Sequence, residues 1–206
     1  MGTITGARAS THYGEHVTSE LAAGLADEER VVIAGGAYGI DSAAHRGVLA
    51  AGGQTIAVLA TGLDRRYPAA HTELLDRIGD TGLLVSELPP GTTPTRERFI
   101  SRSRLMAALS GGVVIPEAGV RSGSLATVRA AHDLGRSIGA VPGPVTSAVS
   151  NGPNQLIKQG VASVVSQASD VIALLDADER ADRSVTRSVI GRDFRHATPG
   201  GSGLSM

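Results

Sequence analysis

The sequence predicts an α/β fold: a doubly wound, mostly parallel sheet with helices on both faces. Three observations carry that reading. Short apolar runs recur along the chain, the stretches between them have apolar residues at helical spacing, and glycine-rich turns follow several of the runs. Strands buried on both faces read as continuous apolar runs rather than alternating ones, which is the pattern seen.

The first run is Thr3-Ile4-Thr5. The loop Thr5 to Thr11 leads from it into a helix with the stripe Tyr13, Val17, Leu21 and Leu25, for which Ser10 or Thr11 can supply the cap. Val31 to Ala34 is the second strand, followed by Gly35, Gly36 and Gly39 and an Ala-rich helix that Gly52-Gly53 closes. Thr55 to Ala60 and Leu83 to Val85 are the third and fourth strands. The stretch LPPGTTPT, Leu88 to Thr95, is broken by three prolines and is a loop ahead of an Arg-rich helix. Val113 to Ile115 is the fifth strand. The helix after it carries Leu125, Val128 and Leu134, takes Ser122 as its cap and ends near Gly135; Ile138 to Val141 is the sixth strand.

The 206 residues suffice for one domain with a core, expected over 1–176, and the polar stretch 177–206 reads as a disordered tail. Apolar residues make up 41% and aromatics 2%, so the core is aliphatic and offers little stacking surface to a ligand. The absence of Cys removes disulfides and thiolate metal sites, and no apolar run approaches the ~20 residues of a membrane span. These features predict a soluble, cytoplasmic protein. A net charge of -1 means that any anion site is local, and 18 of the 19 basic residues are Arg, whose planar fork suits phosphate.

In an open α/β sheet, ligands bind outside the carboxyl ends of the strands. Three loops there carry unusual chemistry. TGARAST offers Gly6, Arg8 and the hydroxyl of Ser10; the second loop offers Gly35, Gly36, Tyr38 and Gly39; PEAGVRSGSL sets Arg121 before Ser122, Gly123 and Ser124 at a helix start. Together they form an anion pocket, because helix N-termini present free amides and a positive dipole end. Neither GxGxxG nor GxxxxGK[ST] occurs in these loops, which argues against a dinucleotide dehydrogenase or a P-loop nucleotide hydrolase.

HYGEH, His12 to His16, matches the spacing of a zinc-protease motif, but it is short and has no evident third ligand, so no metal is expected. His45, in its Ala-rich helix, reads as a packed, hydrogen-bonded side chain. Asp41, Asp64, Glu87 and Glu117 lie near strand ends, where carboxylates more often anchor loops than do acid-base work.

The ordered series GARASTHYG, VVIAGGAYGIDSAAHRGVLAAGGQTIAVLATGLDRRYPAAH, GLLVSELPPGTTP, FISRSRLMAALSGGVVIPEAGVRSGSLATVRAAHDLGRSIGAVPG and SNGPNQLIKQG resembles the DNA-processing protein A (DprA/Smf) family over roughly residues 3 to 175. The resemblance implies an extended Rossmann-like domain that binds single-stranded DNA in a basic pocket. It implies delivery of that strand to a RecA-type recombinase in recombination or natural transformation, a homodimer, and neither catalytic residues nor a cofactor. Carried onto this chain, the pocket uses Arg8, the turn Gly35 to Gly39, and Arg121 with Ser122, Gly123 and Ser124. Arg102 and Arg104 remain from the family's arginine motif, in which Ile100, Ser101 and Ser103 are departures. Tyr38 stands where the family usually has Arg, and a phenol there can stack on a base or donate to a phosphate. The family's helical N-terminal domain and C-terminal winged helix are not expected in this chain, which reads as a minimal version. The alternative is a nucleotide-binding or nucleoside-monophosphate-cleaving protein of the lysine-decarboxylase-like group, whose PGGxGTxxE motif is replaced here by PEAGVRSGSLATV.

Overall fold

The computed structural model describes residues 1–177. The strands are β1 (Gly2–Ile4), β2 (Val32–Ala34), β3 (Thr55–Val58), β4 (Leu83–Val85), β5 (Gly112–Ile115), β6 (Ser137–Ala140) and β7 (Ser163–Val164). They form one sheet in the order β4-β3-β2-β1-β5-β6-β7, and every pair is parallel. The helices are α1 (His12–Asp27), α2 (Ile40–Ala50), α3 (Thr72–Thr81), α4 (Arg96–Leu109), α5 (Leu125–Asp133) and α6 (Asn151–Lys158). A last helical segment covers 168–177. Of the expected tail over 177–206, residue 177 belongs to this helical segment and 178–206 lie outside the described residues.

Although the central strands are buried along their length, their side chains still divide between two faces with period two. Val32, Ala34 and Val114 join Ile4 against α1, α2 and the last helical segment, through Leu21, Leu25, Val48 and Leu175. Ile33 and Val58 point the other way, onto Met106 of α4, while Val113, Ile115 and Ile138 pack on α5 and α6. Ala57 and Leu59 meet Leu75 and Ile78 of α3 on the first face. Burying an Ile or Leu of this kind contributes about 2 kcal/mol before entropy is counted, so both layers are needed to hold the sheet.

The structure bears out some local expectations and corrects others. Thr11 caps α1, its hydroxyl accepting from the Gly14 amide, while the Ser10 hydroxyl donates to Glu15. Tyr13 is exposed rather than part of the core stripe, and its hydroxyl donates to the Pro142 carbonyl. The cap position of α5 is Ser124, not Ser122, and Leu134 lies beyond the helix end and is exposed. His45 is buried, and its one side-chain hydrogen bond fixes its tautomer. The Thr55 hydroxyl gives its one proton to the Val32 carbonyl, so His45 Nδ1 must be the donor to Thr55 at 2.8 Å.

Candidate functional site

The strand order reverses at β1. Successive strands run outward from β1 to β4 on one side and from β5 to β7 on the other, so the loops after β1 and β5 diverge across a crevice. Three hydrogen bonds from backbone amides hold those loops and the β2–α2 turn together. The Ala7 amide donates to the Glu117 carbonyl, the Ile40 amide to the Ala7 carbonyl, and the Thr11 amide to the Glu117 carboxylate at 2.8 Å. The closeness explains two glycines. A Cβ on Gly6 would stand 2.4 Å from the Glu117 carbonyl oxygen. Gly39, at φ +71°, would place one 2.3 Å from the Ala7 carbonyl oxygen.

The crevice opens into a cavity of about 720 Å³. Its floor includes Thr5, Gly6 and Ala37, and its walls are α4 and the start of α5. Five arginines line it, Arg8, Arg96, Arg102, Arg121 and Arg129, against the single acid Asp41. Arg8, Arg96, Arg121 and Arg129 have no carboxylate partner among the described residues. Ser122, Gly123 and Ser124 bring the N-terminus of α5 to the same wall.

Asp41 and Arg102 form the inner layer. Asp41 accepts from the Thr5 hydroxyl at 2.7 Å and from the Ala37 amide at 3.3 Å, and its second oxygen lies 3.8 Å from the Arg102 guanidinium. Arg102 donates to the Gly35 carbonyl at 2.5 Å, while its Nε is buried without a hydrogen-bond partner. Burial pulls the Arg102 pKa below the ordinary guanidinium value; Asp41 opposes that shift and nearby Arg8 adds to it. Arg8 and Arg102 sit 4.5 and 5.3 Å from the centroid of the Phe99 ring, so one aromatic ring steadies two cations that repel each other. An anion between them would relieve that repulsion.

The structure therefore brings Gly6, Arg8, Arg102, Arg121, Ser122, Gly123 and Ser124 around one cavity. Gly35 lies beneath it, its Cα so close to Arg102 that a Cβ would stand 2.4 Å from the guanidinium. Gly36, Tyr38, Gly39 and Ser10 belong to the loops that frame the cavity without lining it. Arg104 is elsewhere: its guanidinium grips both oxygens of Glu87, at 2.9 and 2.8 Å. Asp64 binds the Gly91 amide and Glu117 binds Thr11, so both carboxylates anchor loops. Arg129, Phe99 and Thr95 were not singled out from the sequence. A helical signal for Arg129 exists, since 126 and 129 are three apart and fall on one face of α5, the face that lines the cavity. Among the described residues no group of three His, Cys, Asp or Glu is placed to hold a metal. None of the described helices is long and apolar enough to cross a membrane.

Fold and site together define an open parallel α/β domain with a cation-lined cavity at the switch point of its sheet. The chain belongs to the DNA-processing protein A (DprA/Smf) family: the family model for DNA recombination-mediator protein A matches residues 1–176. A DprA relative in Mycobacterium tuberculosis is 46% identical over 206 aligned residues, which cover 92% of this chain and 53% of the relative. The chain thus spans about half the length of that relative. The crystal structure of DNA processing protein A from Streptococcus pneumoniae superposes with a TM-score of 0.78 at 40% identity, covering 84% of this chain and 60% of that one. A Helicobacter pylori DNA processing protein A, solved for its single-stranded DNA binding mode, also reaches 0.78, at 31% identity, over 86% of this chain and 80% of that one.

Proposed function

We propose that the chain binds single-stranded DNA, with backbone phosphates seated in the cavity between Arg8 and Arg121 over the N-terminus of α5. One observation carries the reading: five arginines line a cavity whose single acid is already engaged by Thr5, Ala37 and Arg102. The single-stranded DNA described for the H. pylori relative supports the same ligand. Gly6 and Gly39 let the loops meet and Gly35 makes room for Arg102, with Ser10 and Gly36 in the same loops, and Ser122, Gly123 and Ser124 offer amides and hydroxyls. Arg104 takes no part in this cavity.

The reading is of a binding protein rather than an enzyme. Cleaving a nucleoside monophosphate calls for a carboxylate free to act on the sugar, and Asp41 has both oxygens occupied. The strand's destination is a RecA-type recombinase in the cytoplasm, with a second copy of the chain as a further partner; the family resemblance supports these roles.

Fluorescence anisotropy on a labelled oligothymidylate tests the ligand. Micromolar or weaker binding is expected, falling with salt at a log-log slope of about -0.7 per neutralised phosphate. Arg8→Ala and Arg121→Ala should each weaken binding about tenfold or more, since a hydrogen bond to a charged group contributes about 1.5–3 kcal/mol. Affinity unchanged in both variants removes the cavity from the account.

A further inference from the structure

Resting on that reading, we infer that Tyr38 is a nucleobase platform: the base attached next to a phosphate in the cavity stacks on its ring. Tyr38 follows Ala37, which lines the cavity, and it is 47% exposed where most of its loop is buried. Its orientation is set from below. The buried His71 ring lies 4.6 Å from the Tyr38 ring, tilted by 61°, and His71 Nδ1 donates to the Gly36 carbonyl at 3.1 Å. His71 thus holds both the phenol and the turn that carries it. A ring fixed in this way loses little freedom when a base covers its open side.

The other aromatic rings stand elsewhere than on this turn. Phe99 is taken up by the Arg8 and Arg102 guanidinium groups, and Tyr67, which lines the cavity and is exposed, leans on Phe99 at 6.0 Å between centroids and so belongs to the arginine wall. Tyr13 is tied to the Pro142 carbonyl through its hydroxyl. Tyr38 is the exposed ring on the β2–α2 turn, and stacking on it would be tolerant of base identity, because every base has a π face. The arginines would then fix the backbone and Tyr38 would read the presence of a base beside it.

The test compares a short oligothymidylate with an abasic strand of the same length and phosphate number, by anisotropy across a salt series. Tyr38→Ala should weaken oligothymidylate binding about tenfold, leave abasic binding within twofold, and leave both salt slopes unchanged. Tyr38→Phe should retain the preference for bases. In contrast, Arg8→Ala should weaken both strands alike and flatten both slopes, so failure of the phosphate reading shows in the arginine variants, and failure of the platform in the ratio of the two strands. Equal losses on both strands for Tyr38→Ala, or no loss on either, overturn the platform. Absence of binding to either strand by the unmodified chain overturns both readings.

Discussion

Replacing Asp41 by Asn separates what the inner layer does for folding from what the outer arginines do for binding. The substitution keeps the volume and leaves an oxygen for the Thr5 hydroxyl, but it removes the charge opposite Arg102. Two unit charges 3.8 Å apart interact by about 4 kcal/mol at an effective dielectric constant of 20. Arg102 is itself almost wholly buried and its Nε has no hydrogen-bond partner, so the freed charge has no second carboxylate to turn to. A loss of about 3 kcal/mol is therefore expected, at the lower end of what breaking a buried pair costs. With a urea m-value of about 2 kcal/mol/M, the unfolding midpoint should fall by about 1.5 M at unchanged slope. The same change raises the net positive charge of the cavity, so affinity for single-stranded DNA should rise severalfold at low salt while stability falls. Equilibrium urea unfolding and anisotropy on the same preparation read both quantities. A midpoint within 0.3 M of the unmodified chain, or weaker binding by a variant that remains folded, would show that Asp41 does not offset Arg102 as argued.

Burial holds the His45 pKa down at about 4 from 6.5, with Asp41 opposing and His71 and Arg102 adding to the shift. Between those values the unfolded chain binds the extra proton, so stability is complete above about pH 6.5 and about 3 kcal/mol is lost as pH falls toward 4. Urea midpoints measured from pH 7 to 4.5 should show this decline, and His45→Leu should flatten it. Gly39→Ala forces a side chain into a φ of +71° against the Ala7 carbonyl, and a loss of at least about 2 kcal/mol in thermal or urea unfolding is expected. Arg104→Ala should leave the affinity and salt slope for single-stranded DNA unchanged in anisotropy, because its guanidinium is committed to Glu87 outside the cavity.

The six apolar runs were legible as strands because each is a short continuous patch made mainly of Val, Ile, Leu, Ala and Thr, the composition of a parallel strand. Ser163–Val164 escaped that test: it is two residues long, lies at the sheet edge and exposes both side chains. The gathering of three loops at one edge was legible from the rule that ligands meet open sheets at strand carboxyl ends. What the pattern left open was how side chains divide within α4. Arg102 and Arg104 are two positions apart on a helix and cannot share a face, so one turns toward Gly35 and Asp41 and the other toward Glu87. The helix that reads as one block of arginines thus divides between a buried strut and a surface pair. Phe99 escaped notice for a different reason. Its value lies in Arg8, ninety-one positions earlier in the chain, and no local spacing encodes that meeting.

The most direct measurement is a crystal structure of the chain with a short oligothymidylate. A phosphate between the Arg8 and Arg121 guanidinium groups, within hydrogen-bond reach of the Ser122 to Ser124 segment, is the predicted result. A strand bound on another surface, with the cavity holding no phosphate at saturating DNA, would contradict the account.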